Sequence, residues 1–322
     1  NVAIGYQSLK QNTASLNVGI GANTLRDNTT GYANSAIGND ALRFNTTGYE
    51  NAAWGVEALL NNNTGYRNMA IGQIAMQANT IDHRNIAVGG GALSENVSGN
   101  FNACIGDATM ILNTTGSFNT AVGPLALHTN TSGDYNTAIG HYADVSSGNL
   151  TNATAIGNGT IVNSSNKIRL GNTSVTVVEG NASYTVSDGR FKTDLKQNVP
   201  GLDFITRLQP VTYHFDYPAF SNFIGERIVD RACLEIRKGK VEAGFVAQQV
   251  EEVCLSLGMD YANFVHAPEN DQDNYSLSYA ALVVPLVQAV QEQQILIEDK
   301  NEEIRTLQQQ LLLFQERLAR IE

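Results

Sequence analysis

The sequence predicts a mixed fold. The first half is an all-β parallel β-roll or β-solenoid of 17-residue repeats, and the second is an α+β unit ending in a coiled coil. Three observations predict it. A glycine recurs at a nearly constant spacing, the recurring segment is rich in Asn, Thr and Gly, and apolar residues near the end fall seven apart. A short fixed period is typical of solenoids, and heptads are typical of coiled coils.

Composition and charge exclude several classes of partner. The chain has 322 residues, 42% of them hydrophobic, and a net charge of -11. Residues 1–180 carry 7 basic and 10 acidic residues, and residues 181–322 carry 13 and 21. We therefore expect no nucleic-acid partner. The apolar run around Ala280 to Val287 is short and contains Pro285, so we also expect no membrane insertion.

Cysteine and histidine spacing predicts no metal site and no cofactor. Three cysteines, Cys104, Cys233 and Cys254, form no paired motif and are interpreted as small buried apolar residues. No two of the five histidines stand at metal-ligand spacing. The chain begins at Asn1, inside a repeat, so we expect a fragment or a processed product.

The repeat consensus is Asn-x-Ala-Ile-Gly-x-x-Ala-Leu-x-x-Asn-Thr-Thr-Gly-Tyr. Its strand glycine falls 16 residues after the first and then every 17, at Gly5, Gly21, Gly38, Gly55, Gly72, Gly89, Gly106, Gly123, Gly140 and Gly157. Ala-Ile-Gly alternates small, large and small, which predicts a strand whose large residue points into a narrow core. Asn-Thr-Thr-Gly predicts a turn. One coil is thin, which favours several chains packed side by side.

Aromatic residues recur at the turn. Tyr32, Tyr49 and Tyr66 directly follow the turn glycine, whereas Phe101, Phe118 and Tyr135 stand one place later. In an extended segment this shift moves a side chain to the other face. The preferred interpretation is a packing ladder, and the alternative is a glycan-binding strip. Trp54, which replaces the usual Ile, is interpreted as packing.

The repeats resemble the heads of trimeric autotransporter adhesins, which share the Asn-x-Ala-Ile-Gly motif, and similar repeats of phage tail fibres. The resemblance implies a left-handed parallel β-roll that trimerises. It covers residues 1–160, the predicted shaft. Residues 161–186 then form a β-rich bridge, with short strands predicted at Ile168–Gly171 and Val175–Val178.

Residues 187–322 have ordinary composition and mixed periodicity. The spacing of Leu202, Ile205 and Leu208 predicts a helix, Val211–Phe215 a strand, and residues 226–245 a charged β-hairpin. Val246–Leu257 is predicted to be an amphipathic helix. A longer helix starts near Ser278, with a coiled coil at about 282–322. Its two seams are Val290, Ile297, Ile304, Leu311 and Leu318, and Leu286, Leu307, Phe314 and Ile321.

Four motifs in this region resemble the self-cleaving intramolecular chaperone of endosialidases, tail spikes and tail fibres. They are Ser187-Asp188-x-Arg190-x-Lys192, Leu208-x-Pro210-Val211-x-Tyr213, Gly244-Phe245-Val246-Ala247-Gln248-Gln249-Val250-Glu251, and Tyr279 before a terminal coiled coil. Phe191 stands where the family usually has Leu. The loop from Tyr217 to Glu242 is longer than usual.

The resemblance implies cleavage between Val186 and Ser187, with Ser187 as nucleophile and Lys192 as its base. Asp188, Gly189 and Arg190 are supporting residues. A lysine can be a base only where burial or a nearby cation lowers its pKa, so we expect Asp188 to point away from it. Arg190 either favours the neutral lysine or holds the loop.

The five-residue spacing between nucleophile and base excludes a regular segment. On a helix the two side chains lie about 140° apart, and on a strand they face opposite sides. Either a turn at Gly189 brings them together, or the lysine comes from a neighbouring chain. Our hypothesis is that the active geometry forms only in the assembled trimer.

The sequence therefore predicts a homotrimeric fibre protein, a phage tail fibre on the virion, whose chaperone cuts itself once and is released. The alternatives are a bacterial cell-surface adhesin with the same chaperone, an uncleaved structural trimeriser and, least favoured, a glycan-degrading tail spike. The last requires paired carboxylates, and Asp107, Asp134 and Asp144 are scattered. A host-cell receptor or a glycan is the partner left open.

Overall fold

The computed structural model describes residues 1–178, 187–226, 231–260 and 262–319. Its contacts divide the chain into two compact units. The first holds the repeats as far as residue 178, together with two later segments, Asp216–Gly239 and Glu269–Asp273. The second holds the remaining described residues after 187. The two later segments therefore fold with the repeats, although they lie beyond the boundary predicted at residue 187.

A parallel β-solenoid forms the first unit, as the repeats predict. Among the described residues, its main sheet has eleven strands in chain order. They are Val2–Ile4 (β1), Val18–Ile20 (β2), Ser35–Ile37 (β3), Ala52–Trp54 (β4), Met69–Ile71 (β5), Ile86–Val88 (β6), Ala103–Ile105 (β7), Thr120–Val122 (β8), Thr137–Ile139 (β9), Thr154–Ile156 (β11) and Ile168–Leu170 (β13). A second ladder pairs Asp144–Val145 (β10) with Ile161–Val162 (β12). Each strand pairs in register with the next coil, as Ala36 does with Ala53.

The orientation predicted for the Ala-Ile-Gly strands is wrong. The alanine points inwards and the larger residue outwards: Ala36 is fully buried, whereas Ile37 is 40% exposed. The interior is filled instead by the leucine of the Ala-Leu segment, such as Leu42, which is also fully buried. Since the coil is thin, a leucine on one wall leaves room only for a methyl group on the other. Trp54 accordingly lies on the outside and is 45% exposed.

Two ladders of buried asparagines stabilise the coils. In the first, the turn asparagine donates to the one in the preceding coil, as Asn62 Nδ2 does to Asn45 Oδ1 at 2.8 Å. In the second, the asparagine before each strand accepts the backbone N–H of its successor, as Asn34 Oδ1 does from Asn51 at 3.0 Å. Because buried amides are costly when unpaired, this exact repetition makes the consensus asparagines structural residues.

The strand glycines have a steric role. Gly38 has φ +128°, and a Cβ placed there would collide with the backbone of Gly55 in the next coil. The close approach of successive coils therefore requires glycine at this point of every repeat.

The predicted change of face in the aromatic series is also wrong. Tyr32, Tyr49 and Tyr66 stack at centroid distances of 5.0 and 4.9 Å. His83 stacks on Tyr66 at 4.6 Å and meets Phe101 edge-on at 5.6 Å, which joins the two sets into one ladder. The chain here is not extended. The residue after each tyrosine has positive φ, and Phe101 itself has φ 58°, so a one-residue shift does not reverse the side chain.

The end of the solenoid departs from the sequence expectation. The Ile168–Gly171 prediction is confirmed by β13, which pairs with β11 after a coil of 14 residues, from Thr154 to Ile168. The strand predicted at Val175–Val178 is wrong, because these residues form no strand. Two helices of the later segment belong to this unit: Tyr217–Phe223 (α2) and Arg231–Lys238 (α3).

The second unit is a small α+β assembly. Its elements are Leu202–Arg207 (α1), Val211–His214 (β14), Val241–Gly244 (β15), Ala247–Ser256 (α4), Val265–His266 (β16), Ser276–Leu277 (β17) and Val283–Ala319 (α5). These confirm the predicted helices and the strand after Pro210. The hairpin predicted at 226–245 is wrong: residues 231–238 are helical, and β15 pairs antiparallel with β14 instead. Phe204, Val250 and Cys254 lie in its buried core.

The terminal helix α5 leaves its apolar positions uncovered in the single chain. The seam residues Val290, Ile297, Ile304, Leu311 and Leu318 are each between 47% and 59% exposed. The predicted helix is confirmed, and its pairing as a coiled coil stays a prediction. By length and composition alone, the stretch Tyr279–Leu318 also passes as a helix that could cross a membrane.

Candidate functional site

A short turn organises the Ser187–Lys192 segment. The Asp188 carboxylate accepts the backbone N–H of Arg190 at 2.9 Å and so caps a single 3₁₀ turn, Gly189–Phe191. The turn closes when the backbone N–H of Lys192 donates to the Gly189 carbonyl at 3.2 Å. The acidic side chain is therefore a local cap, which is the usual role of Asp before a helical turn.

The turn brings the two predicted catalytic side chains together within one chain. Lys192 Nζ donates to Ser187 Oγ at 2.7 Å. This is the distance that a nucleophile and its base require. Of the two routes left open by the spacing, the structure contains the turn at Gly189. Among the described residues, no atom beyond Gly189 itself and its neighbours in the chain lies within 4 Å of the position that a Cβ on Gly189 would take.

Asp188 and Arg190 form an ion pair beside the dyad. Both Nε and Nη2 of Arg190 donate to Asp188 Oδ2, at 2.9 and 2.6 Å. The bond to Arg190 lowers the pKa of Asp188, and the same bond raises the pKa of Arg190. The carboxylate thus points to the arginine and not to Lys192, as expected. The bonds of Arg190 to Asp188 lie within the loop itself.

Solvent surrounds the whole segment in the single chain. Ser187 and Lys192 are exposed, and every residue from 189 to 199 is exposed. Two large apolar side chains stand among them, Phe191 at 76% and Leu195 at 77% exposed. An exposed apolar surface of this kind is typical of a face that another surface covers.

The remaining motif residues have structural roles in the second unit. Tyr279 Oη accepts the backbone N–H of Phe245 at 3.0 Å, and a Cβ on Gly244 would collide with that hydroxyl. Tyr213 lies beside the same glycine. These residues, taken from three separate motifs, form one contact that ties the end of β15 to the start of the terminal helix.

The second unit also contains a helix cap that was not predicted from the sequence. The carboxylate of Glu292, on α5, accepts the backbone N–H of Leu202 at 2.7 Å, and this bond lowers the pKa of Glu292. A Cβ on Gly201 would collide with that carboxylate. Leu202 and Glu292 are 90 positions apart, so no local sequence pattern predicts their contact.

Other parts of the described structure have fewer features of a metal or catalytic site. No cluster of metal-ligating side chains occurs among the described residues. A cavity of about 370 Å³ in the first unit is lined by Asp144, His128 and Tyr142. Burial raises the pKa of Asp144 to about 6, but its carboxylate is already bound by Thr129 and Val145. Asp107 and Asp134, the other two acids considered for a sugar site, do not line this cavity.

The sequence analysis also missed a set of buried ion pairs in the first unit. Arg169 binds Glu226 at 2.8 Å, and Lys167 binds Asp273 at 2.9 Å. The sequence did contain an indication of these ion pairs. Within the long stretch 85–178, Lys167 and Arg169 are the two basic residues.

The predicted cleavage site is only half within the described residues. Ser187 is described, and Val186 lies outside the described residues. The position of the scissile carbonyl therefore stays a prediction.

Comparison with protein families agrees with the position of this site. The model of the family described as Peptidase S74, chaperone of endosialidase, matches residues 187–259. The match begins at Ser187 and ends just beyond α4, so it covers less than half of the chain. No curated protein matches the chain. The C-terminal part thus contains a region similar to a chaperone of endosialidase, and the family's name indicates a self-processing peptidase.

Proposed function

We propose that this chain is a trimeric fibre protein, a phage tail fibre in the first instance. Residues 187–322 hold three chains together while the shaft folds, and then cut themselves off between Val186 and Ser187. The observation that carries the proposal is the 2.7 Å hydrogen bond between Lys192 Nζ and Ser187 Oγ, at the first residue of the family match.

The chemistry follows from the position of the serine beside the bond that breaks. A neutral Lys192 amine takes the hydroxyl proton as Ser187 Oγ attacks the carbonyl carbon of Val186. The peptide C–N bond breaks, the proton passes to the new α-amine of Ser187, and an ester joins the two residues. Water then hydrolyses the ester. The nucleophile is part of its own substrate, so each chain reacts once.

Assembly supplies the exclusion of water that Lys192 lacks in the single chain. Lysine becomes a base when desolvation or a neighbouring cation favours its neutral form. In the single chain Lys192 is exposed, and the apolar Phe191 and Leu195 beside it are exposed as well. A neighbouring protomer that covers these side chains would exclude water from the dyad. Cutting would then be coupled to correct assembly.

Two apolar surfaces support a trimer. One is the heptad seam of α5, exemplified by Ile304 at 50% exposed. The other is the outward row of strand residues on the solenoid. Its more exposed members are Ile37, Trp54, Ile105, Val122, Ile139 and Ile156. Helix and solenoid thus each present a continuous apolar row of the kind that packs against copies of itself.

The repeats explain why such a fibre needs a chaperone. Near-identical coils can pair between chains in registers wrong by 17 residues, and each error loses only one coil of contacts. A terminal trimeriser holds the chains level and raises their effective concentration, so folding can spread from the correct register. Removal of the trimeriser afterwards leaves a kinetically trapped shaft.

The glycan-binding interpretation of the aromatic ladder has less support. A sugar packs on the face of an exposed ring, but successive rings such as Tyr49 and Tyr66 lie 4.9 Å apart and 5° from parallel. Inside the ladder each face is therefore covered by the next ring, which favours the packing role. A bacterial surface adhesin, or a trimeriser that is never cut, fits the same contacts and stays the alternative.

Denaturing electrophoresis with intact mass, on wild type and Ser187→Ala, tests the proposal. We expect two wild-type fragments that meet at Val186/Ser187 and one whole chain for the variant. Ser256→Ala is the matched control, because this exposed serine bonds locally to the Val253 carbonyl, and it should be cut like wild type. A wild-type chain that stays whole after assembly would overturn self-cleavage and leave the trimerising role.

A further inference from the structure

Two segments that follow the cleavage site fold onto the end of the solenoid. They are Asp216–Gly239 and Glu269–Asp273, and both belong to the same compact unit as the repeats. Cleavage between 186 and 187 would place them in a different polypeptide from the coils they contact. Their contacts therefore decide what happens after the cut.

The first contact is a buried carboxylate. Glu226 Oε2 accepts from Arg169 Nη2 at 2.8 Å, and the Glu226 side chain is only 1% exposed. Its other oxygen accepts the backbone N–H and the hydroxyl of Thr173, both at 2.7 Å. Both carboxylate oxygens of the later segment are thus bound by donors from the last coil. Arg237 also donates to backbone carbonyls of Thr173 and Val175.

The second contact repeats this arrangement. Asp273 Oδ1 accepts from Lys167 Nζ at 2.9 Å, and the Asp273 side chain is fully buried. Asn163 donates to the Gln272 carbonyl at 2.8 Å, and Asn270 donates to the Asn163 carbonyl at 3.2 Å. In both ion pairs the cation comes from the solenoid and the acid from the later segments. Loss of a cation leaves a buried carboxylate without its counter-ion, and loss of an acid leaves a partly buried cation without one, which is unfavourable in both cases.

We propose that cutting alone does not free the chaperone. Residues 216–239 and 269–273 stay bound to the last coil as a cap, and their departure is a separate step controlled by the two ion pairs. This inference rests on the proposed self-cleavage. The cap has a use, because β13 is the last strand of the main sheet among the described residues, and solenoid ends need capping against pairing with other chains.

The contact has features that permit separation. Ion pairs and hydrogen bonds contribute to it, and a cavity of about 370 Å³ remains between the solenoid residues around Asp144 and the end of α2. Polar contacts with gaps are typical of dissociable interfaces, in contrast to the close packing of a permanent core. Retention followed by release is therefore physically consistent.

Nicking the full chain tests the proposal independently of self-cleavage. In Ser187→Ala, residues 179–186 are replaced by the recognition sequence of a site-specific protease, and the assembled protein is cut with that protease. Size-exclusion chromatography at physiological salt should show both fragments eluting together. Adding Glu226→Gln and Asp273→Asn should speed separation roughly 100-fold, as expected for broken buried pairs. Asp203→Asn, which removes an exposed pair with Arg207, is the control and should change nothing.

Fragments that separate at once in the nicked parent would overturn the proposal, as would equal retention in the parent and the double variant. Hydrogen exchange tests the proposal in the nicked parent, which has no substitution in the cap. The Thr173 amide should stay protected after nicking, and loss of its protection would also overturn the proposal. If the wild type never cuts itself but the nicked Ser187→Ala protein keeps its cap, the proposed self-cleavage alone is rejected.

Discussion

Asn62 in the solenoid and Lys192 in the C-terminal unit are both polar side chains held by hydrogen bonds, yet their surroundings are opposite. Asn62 is fully buried, donates to Asn45 and Gly65, and accepts from Asn79. Lys192 is exposed and meets Ser187 in open solvent. The asparagine ladder around Asn62 is satisfied within one chain, because each coil supplies the partners of the next. The Ser187–Lys192 segment and α5, in contrast, leave large apolar side chains exposed in the single chain.

The largest expected effect is on assembly and concerns α5. Ile304→Asp should abolish the trimer, because it places three charges in one apolar layer and removes about 1.5–3 kcal/mol of burial per chain. Sedimentation should then report the mass of one chain, 34.7 kDa if uncut. The control is Gln309→Asp, which lies off the predicted seam and should stay trimeric. If the Ile304 variant stays trimeric, α5 is not the trimerising surface. Wild type that floats with lipid vesicles would indicate a membrane helix instead.

The second effect concerns the dyad itself. Lys192→Arg keeps a cation beside Ser187 but removes the base, because a guanidinium does not lose its proton in proteins. We expect cutting to slow by at least about 100-fold with assembly unchanged, measured by time-resolved electrophoresis. Lys196→Arg, at another exposed lysine of the same segment, should cut normally. Normal cutting by the Lys192 variant would mean that this side chain only positions the loop.

The third effect concerns the hydrogen bonds that the asparagine ladder forms within one chain. Asn62→Ala leaves the amide of Asn79 and the oxygen of Asn45 without their partner, at a cost of about 3 kcal/mol. Thermal unfolding should show the loss in a single step. Asn61→Ala is the control, because this neighbouring asparagine is exposed and its side-chain amide donates to the Gln77 carbonyl, outside the asparagine ladder. A similar loss in both variants would show that the ladder contributes nothing special.

The fourth effect concerns a defect in the same ladder. Asp82 occupies the place of the turn glycine, is 2% exposed, and has its pKa raised by burial from 3.8 to about 7. The neighbouring rung is long, 3.5 Å from Asn96 Nδ2 to Asn79 Oδ1, against 2.8 Å in the next.

The sign of the pH dependence follows from this raised pKa. Between about pH 4 and 7 the folded state keeps a proton that the unfolded state releases, so stability falls as pH rises. The upper bound is about 4 kcal/mol, and we expect about half. Asp82→Gly should remove this slope and raise the melting temperature at pH 8, with Asp134→Asn as the control. Unchanged pH dependence would mean that the carboxyl is solvated.

Periodicity was sufficient to predict the architecture, but not the direction of its side chains. Spacing of 17 residues and heptads required a solenoid and a long helix. The width of the coil decides which strand residue faces inwards. This width cannot be read from the sequence of one repeat, so Ile37 was assigned to the core incorrectly. The shifted aromatic ladder was missed for a related reason, because the positive φ of Phe101 is a property of the folded turn.

The site divides in the same way. The sequence by itself determined the chemistry: Ser187 and Lys192 are five residues apart beside a glycine, and only a turn or a second chain can join them. Only the tertiary structure decided which contacts exist. The turn capped by Asp188 aligns the pair, and the ion pairs of Arg169 with Glu226 and Lys167 with Asp273 bind the last coil to later segments. The physical reason is the range of the interactions. Neighbouring residues determine the local conformation, whereas a buried charge pairs with whichever segment the fold places beside it.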